Sequence, residues 1–311
     1  LTYPGDDTAL DTAGSQTLII TGTNYESGLT VTIDGTAPSS VAINSATQLT
    51  CTGTPAKSAG TKTNGVVVTS EAGLTASIDV EYSAVPAWQT AADLGDKFDE
   101  TTISTITVAA TEATSYALKS GSSLPSGLSL ASGGAITGNL SGNNNADYNF
   151  YIVATDAQNQ TSERQFTLGV GDLPTGGTID TSVSGYRIHT FSYTGSNQTF
   201  TISAPLVLTE VLVLGGGASG FRSPNIDSGG GGAGGLIYDT NRSLAAGSYT
   251  VVVGVGGVST MNYNGAVQGG DSTFDGMTGA GGGRSGGYTG NRAYTGFSTH
   301  QYYAGTSGGS G

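Results

Sequence analysis

The chain has 311 residues, with 10 basic against 23 acidic side chains, a formal net charge of −13, and only 11% charged residues. Thr, Ser, Gly and Asn stand where a helical enzyme would carry Lys, Glu and Arg, which is a β-protein composition. Residues 1–173 hold 17 acids against 5 bases and residues 174–311 hold 6 against 5, so no basic cluster exists to neutralise a phosphate backbone, which excludes nucleic acid as a partner.

The first stretch alternates as strands do, in Thr17–Thr21, Leu29–Ile33, Val41–Ile43, Gln48–Cys51, Gly65–Thr69 and Ala76–Val80, with turn formers between them, Asp34-Gly35 among these. Six short strands in so few residues predict an immunoglobulin-like sandwich over 1–84. Ile20-Thr-Gly-Thr-Asn-Tyr25 followed by Val31-Thr-Ile-Asp-Gly35 resembles the TIG (IPT) domain, a small Ig-like module of surface and fibre proteins. Cys51 is the one cysteine, which excludes an intrachain disulfide and a thiol metal cluster. It is expected to be a buried small side chain in a strand.

Pro86-Ala-Trp88 opens a second sandwich over 85–171, with strands expected at Ile103–Val108, Ser115–Leu118, Tyr148–Thr155 and Arg164–Val170. Leu124-Pro-Ser-Gly-Leu-Ser-Leu130, Gly134-Ala-Ile-Thr-Gly138 and Asp147-Tyr-Asn-Phe-Tyr-Ile-Val-Ala-Thr-Asp156 together resemble the Putative Ig family of cadherin-like modules. Cadherins bind calcium between domains, which draws attention to Asp93, Asp96, Asp99, Glu100 and Asp156. Their spacing is not an EF-hand and the cadherin ligand set is incomplete, so these are expected to be solvated loop carboxylates, with no metal site.

Gly171–Gly177 is a linker of turn formers, after which residues 178–311 form the third region. Of the 52 glycines, 30 fall between Gly215 and Gly311. Glycine brings no side chain to bury and loses the most backbone entropy on folding, so this region cannot build an ordinary core. Short apolar runs nevertheless return at Val211–Leu214, Leu236–Tyr238 and Tyr249–Val253. The glycine runs are therefore expected to stack as extended or polyproline II rods at close backbone spacing, hydrogen-bonded laterally. Val211-Leu-Val-Leu-Gly215-Gly-Gly217-Ala-Ser-Gly220 spells a dinucleotide fingerprint, with Asp239 about where a ribose-binding acid belongs. That motif needs a helix whose N-terminus faces the pyrophosphate, and Phe221-Arg222-Ser223-Pro224 runs on into Gly229–Gly235, so no cofactor is expected.

The order Tyr186–Phe191, Thr199–Ile202, the glycine burst after Leu214, Gly229–Gly235, Ala245–Gly257, Gly269-Gly-Asp-Ser-Thr-Phe274 and Gly279–Gly287 resembles the glycine-rich domain of phage and bacterial surface proteins. In tail-fibre adhesins, similar regions form the tip that touches the host, which is what the resemblance implies. His189 and His300 lie in no nucleophile or metal motif, and the acids define no glycosidase groove, so no catalytic residue is assigned. Tyr249 and Phe274 are assigned to packing. Tyr288, Tyr294, Phe297, Tyr302 and Tyr303, in polar glycine loops, are the candidate receptor-binding residues, since rigid aromatics among Ser, Gly and Asn give large contact area at low entropy cost. Packing between subunits would bury the same rings.

The expected fold is all-β: two tandem Ig-like sandwiches ahead of a glycine-rich domain. The expected protein is a phage virion component, a tail fibre or capsid-attached fibre. Its expected partners are other virion proteins and a host-surface glycan or protein, with no membrane insertion and a homo-oligomeric state, a trimer by analogy with phage fibres. A bacterial secreted adhesin or filament, or the accessory modules of a carbohydrate-active enzyme, would use the same modules. Without an initiator Met the chain reads as a piece of something longer.

Overall fold

In a computed structural model of the chain, residues 1–220, 229–258 and 266–285 are described, together with the backbone strands Gly287–Thr289 and Gln301–Tyr303. Every regular element among them is a strand. The chain divides into two compact units, Leu1–Val170 and Gly171–Gly311.

The first unit holds two sandwiches, each with its own core. Strands β1 (Leu10–Asp11), β2 (Thr17–Thr21), β3 (Thr30–Ile33), β4 (Ser40–Ser45), β5 (Gln48–Thr52), β6 (Gly60–Thr69) and β7 (Thr75–Ser83) build the first. They form a β1-β7-β6-β3 sheet over a β2-β5-β4 sheet. The period-two alternation seen in the sequence decides what goes inside: Leu18 and Ile20 from β2, Leu49 and Cys51 from β5, and Val80 and Tyr82 from β7 form the core. Asp34 and Gly35 both have positive φ, 45° and 76°, and the bonds Ile33 N to Thr36 O and back close the two-residue primed turn that this dipeptide favours.

The second sandwich comprises β8 (Ala87–Trp88), β9 (Asp93–Phe98), β10 (Ile106–Thr107), β11 (Ala110–Thr111), β12 (Ser115–Leu118), β13 (Leu128–Leu130), β14 (Ala135–Gly138), β15 (Ala146–Thr155) and β16 (Thr161–Gly171). Its sheets are β12-β15-β16-β9 and β10-β14-β13, with a β8–β11 ribbon at the side. Phe150 and Ile152 from β15 and Phe166 and Leu168 from β16 are fully buried. The expected strand Ile103–Val108 is reduced to Ile106–Thr107, although Ile103 N and Val108 N still bond to Gly138 O and Gly134 O. The strand Asp93–Phe98 carries no β-branched alternation, so no local signal marks it in the sequence.

The second unit contains β17 (Thr178–Asp180), β18 (Ile188–Thr190), β19 (Gln198–Ile202), β20 (Leu206–Leu214), β21 (Leu236–Leu244), β22 (Gly247–Val252), β23 (Ser272–Phe274), β24 (Met277–Gly279), β25 (Gly287–Thr289) and β26 (Gln301–Tyr303). A β19-β22-β23-β24 sheet and the β20–β21 hairpin share a core of Phe200, Ile202, Val213, Leu244, Val251, Phe274 and Met277. Within the expected Tyr186–Tyr193 strand only Ile188–Thr190 pairs, whereas the expected Leu236–Tyr238 run continues to Leu244.

Candidate binding surface

The glycine runs stand as laterally bonded rods. The segment 215–219 is central: Gly215 N donates to Gly235 O, Gly216 N to Gly270 O, Ala218 N to Gly232 O and Ser219 N to Val267 O, while Gly217 O accepts from Gly257 N and Gly216 O from Gly282 N, all at 2.7–3.0 Å. The outer rods bond one another in turn, as in Gly232 N to Gly283 O and Gly269 N to Gly282 O. Gly215, Gly216, Gly231, Gly254, Gly269 and Gly281 are absent from the positive-φ glycines, so left-handed backbone is not why they are glycine. A Cβ on any of them would lie far inside van der Waals contact of a neighbouring rod's carbonyl, the reason collagen needs glycine at its axis.

The Gly269-Gly-Asp-Ser-Thr-Phe274 run joins this bundle to the sheet. Gly269 and Gly270 belong to a rod, Asp271 Oδ1 accepts from Gly281 N at 2.7 Å, Ser272 Oγ accepts from Gly254 N at 2.9 Å, and Phe274 enters the core. The buried Ser219 likewise supplies Oγ to Val267 N at 2.8 Å. Polar side chains thus fill lattice positions that a backbone carbonyl leaves open.

Of the candidate receptor-binding residues, Tyr288 in β25 stands opposite Tyr302 in β26, and Gly287 opposite Tyr303. Tyr294 and Phe297 lie outside the described residues, as do Phe221, Tyr263 and His300. Tyr249 and Phe274 pack together, ring centroids 6.1 Å apart, as core residues. His189 is structural in its surroundings: Nδ1 is 2.8 Å from Gly176 O and the ring meets Phe200 edge-on at 5.0 Å.

The β20–β21 hairpin supplies surface residues that the sequence reading missed. Val211 and Val213 face the core, while Leu212, Leu214, Leu236 and Tyr238 face outward at 54–62% exposure, Leu212 paired with Tyr238 and Leu214 with Leu236. The signal was present in Val211-Leu-Val-Leu214, an unbroken apolar run that gives a strand two apolar faces. At the foot of this hairpin Arg242 Nε reaches Asp275 Oδ2 at 2.7 Å and Nη1 reaches Asp239 Oδ2 at 3.0 Å. The Asp275 hydrogen bond comes first and the Asp239 bond second in raising the guanidinium pKa above its ordinary value. Asp239, which stands where the fingerprint would place a ribose-binding acid, is an ion-pair partner of Arg242.

Two of the acids singled out in the sequence, Asp156 and Asp99, are held by local hydrogen bonds. Asp156 is buried, and it accepts from Gln158 N at 2.9 Å, Gln160 N at 2.7 Å and Ser83 Oγ at 3.1 Å. It thereby ties the end of β7 to the β15–β16 turn, alongside Thr8 N to Gln158 O. The carboxylate of Asp99 takes Asn143 Nδ2 at 2.8 Å and Asn143 N at 3.0 Å; the side-chain bond does most to hold its pKa below 3.8. Among the described residues no three His, Cys, Asp or Glu side chains come together as a metal site would require. Cys51 is buried, and desolvation pushes its thiol up to about 11, away from the reactive thiolate. No helix among the described residues is long and apolar enough to cross a membrane.

Residues 82–171 match the Putative Ig domain family, and residues 190–311 match the glycine-rich domain family. No curated protein sequence matches the chain. Among solved structures it is similar to the eight N-terminal Ig domains of Down Syndrome Cell Adhesion Molecule, at 11% identity and a TM-score of 0.27 over 80% of this chain and 39% of that one. It is also similar to a Bacteroides ovatus mixed-linkage glucan utilization locus protein, SGBP-B, solved with a mixed-linkage heptasaccharide, at 11% identity and a TM-score of 0.24 over 81% of this chain and 65% of that one. Extracellular domains 3–5 of Drosophila OTK are similar at 9% identity and a TM-score of 0.25, over 86% and 93%. The chain thus spans less than two thirds of the first two of these proteins.

Proposed function

We propose that this chain is an adhesive and structural protein of a virion surface, a phage tail fibre or capsid-attached fibre, that binds rather than catalyses. The sandwiches over 1–84 and 85–171, the first of them TIG-like, act as spacers. The glycine-rich unit is the tip, contacting a host-surface glycan or protein and neighbouring subunits. The observation that carries this reading is the rod bundle: a backbone-packed scaffold offers few side chains for acid–base work, but it holds attached strands and loops rigidly at low entropy cost. The β25–β26 pair sets Tyr288 across from Tyr302 within that unit. Aromatic rings stack on the apolar faces of sugars, and each such contact is worth about 0.5–1.5 kcal/mol by analogy with aromatic pairs, so useful affinity needs several copies. A homo-oligomer, a trimer in this proposal, supplies them through avidity. The test is adsorption of purified protein to bacterial host cells. Tyr302→Ala with Tyr303→Ala should abolish it, and a chain ending at Gly177 should not adsorb; equal adsorption by the shortened chain removes the tip as the receptor site.

A further inference from the structure

The first sandwich is incompletely closed along one side. Strand β1 pairs with β7 only at Tyr82 and Ser83, so among the described residues nothing pairs with Thr75–Val80 on that side. Ser83 O accepts from Thr12 N, and Glu81 N donates to the Tyr3 hydroxyl, which shows that the odd-numbered residues of β7 aim their backbone groups away from β6. By the two-residue period of a strand, Thr75, Ser77 and Asp79 present N–H and C=O groups to an open edge.

The even-numbered residues point inward. Val80 and Tyr82 are fully buried, but Ile78 is 47% exposed and Ala76 is exposed. They line a cleft of about 830 Å³ together with Ile20, Leu29, Val66 and Val68. Its size falls within the range of about 300–1,000 Å³ typical of ligand pockets. The charged side chains at its wall are Glu26 and Glu71, both acidic.

An unpaired strand edge beside a cleft lined by both aliphatic and polar side chains, with two glutamates at its wall, suits an extended peptide. We propose that the first sandwich binds an extended peptide segment of a partner protein by strand addition along Thr75–Asp79. Alternate aliphatic side chains of the segment enter the cleft over Ala76 and Ile78, and Lys or Arg flank them opposite Glu26 and Glu71. Main-chain bonds to β7 supply affinity, and the cleft and its charge supply register and selectivity. The site lies outside the glycine-rich unit and does not depend on that unit's role.

The probe is a fluorescein-labelled peptide, Lys-Thr-Val-Thr-Val-Thr-Lys, titrated against the full chain by fluorescence anisotropy. Saturable binding is expected. It should weaken at least about tenfold in Ile78→Asp and in Glu71→Lys, and likewise when alternate peptide nitrogens facing β7 are methylated on the unchanged protein. Glu in place of both peptide Lys residues should weaken it several-fold. The methylated peptide keeps the test decisive if a protein variant fails to fold. The proposal is overturned by no saturation up to about 1 mM peptide, by equal binding of the methylated peptide, or by self-association of the chain that Ile78→Asp abolishes, which would make a second copy the occupant.

Discussion

In the second sandwich Phe150, Ile152, Phe166 and Leu168 are fully buried, and their side chains fill the space between sheets. In the rods of 215–283 the nearest neighbours of Gly216, Gly231 and Gly269 are the carbonyl groups of other rods. Both regions reach close packing and satisfy their backbone, but with opposite materials. A side-chain core is damaged by removing atoms, since a cavity remains. A backbone-packed bundle has nothing to remove, so it is damaged by adding them. The two regions therefore differ in the substitution that damages them most, truncation in the one and added atoms in the other.

The largest effect should come from Gly231→Val. Its Cβ would collide with the Ala218 carbonyl and the backbone beyond it, which belong to the central rod and cannot swing aside. The unfolding transition of the second unit should vanish in calorimetry while that of the sandwiches persists. Gly230→Ala, one residue away and with open space around its Cβ, should leave both transitions in place. If Gly230→Ala and Gly231→Val behave alike, backbone packing is not what orders the bundle. Amide exchange sharpens the same point: Gly216, Gly232, Gly269 and Gly270, all donors between rods, should exchange far more slowly than random coil.

Next in size is Phe166→Ala, where the comparison runs the other way. Phe166 meets Trp88 edge-on at 5.1 Å and stacks with Phe150 at 6.3 Å. Truncation should cost about 3–5 kcal/mol in denaturant unfolding of the first unit, with the second unit's transition unmoved. An equal loss in both transitions would show that the two units unfold as one.

The smallest effect concerns acid. Asp99 and Asp180 have folded pKa values below the ordinary 3.8, held down chiefly by the Asn143 side chain and by Ser182 N. The stability that each contributes is present above 3.8 and is lost as pH falls through the lowered folded value. Asp7 has the opposite sign: burial first, then Asp156 and Asp6, raise its pKa. Its contribution is present below 3.8 and is lost as pH rises through the folded value. Asp99→Asn should therefore flatten the acid limb of the first unit's stability–pH curve, and Asp7→Asn should raise stability on the neutral side. An unchanged acid limb in Asp99→Asn would remove the Asn143 hydrogen bonds as its cause.

Much of this is legible in the sequence. Local pattern placed the strands Thr17–Thr21 and Gln48–Cys51, a buried Cys51, the Asp34-Gly35 turn, and Tyr249 and Phe274 in packing, because each depends on a few neighbours in sequence. The candidate site was less legible. The aromatic residues were picked out by composition, but the register that sets Tyr288 opposite Tyr302 joins segments that no local pattern links. Nor could alternation say that Leu212 and Leu214 face outward while Val211 and Val213 face inward, since the four residues are equally apolar.

The sequence by itself determined that the glycine runs after Leu214 could order only through their backbone, since they carry so few side chains. Which glycines are indispensable was decided by tertiary structure alone. Gly230 and Gly231 are chemically identical neighbours, yet one faces open space and the other the Ala218 carbonyl. The same holds for β7, whose inward residues read as one uniform face although Val80 is covered and Ile78 is not. In both places the deciding contact comes from a distant stretch of chain. Local propensity fixes what a segment can become, but its neighbour across the lattice or the sheet is set by long-range pairing.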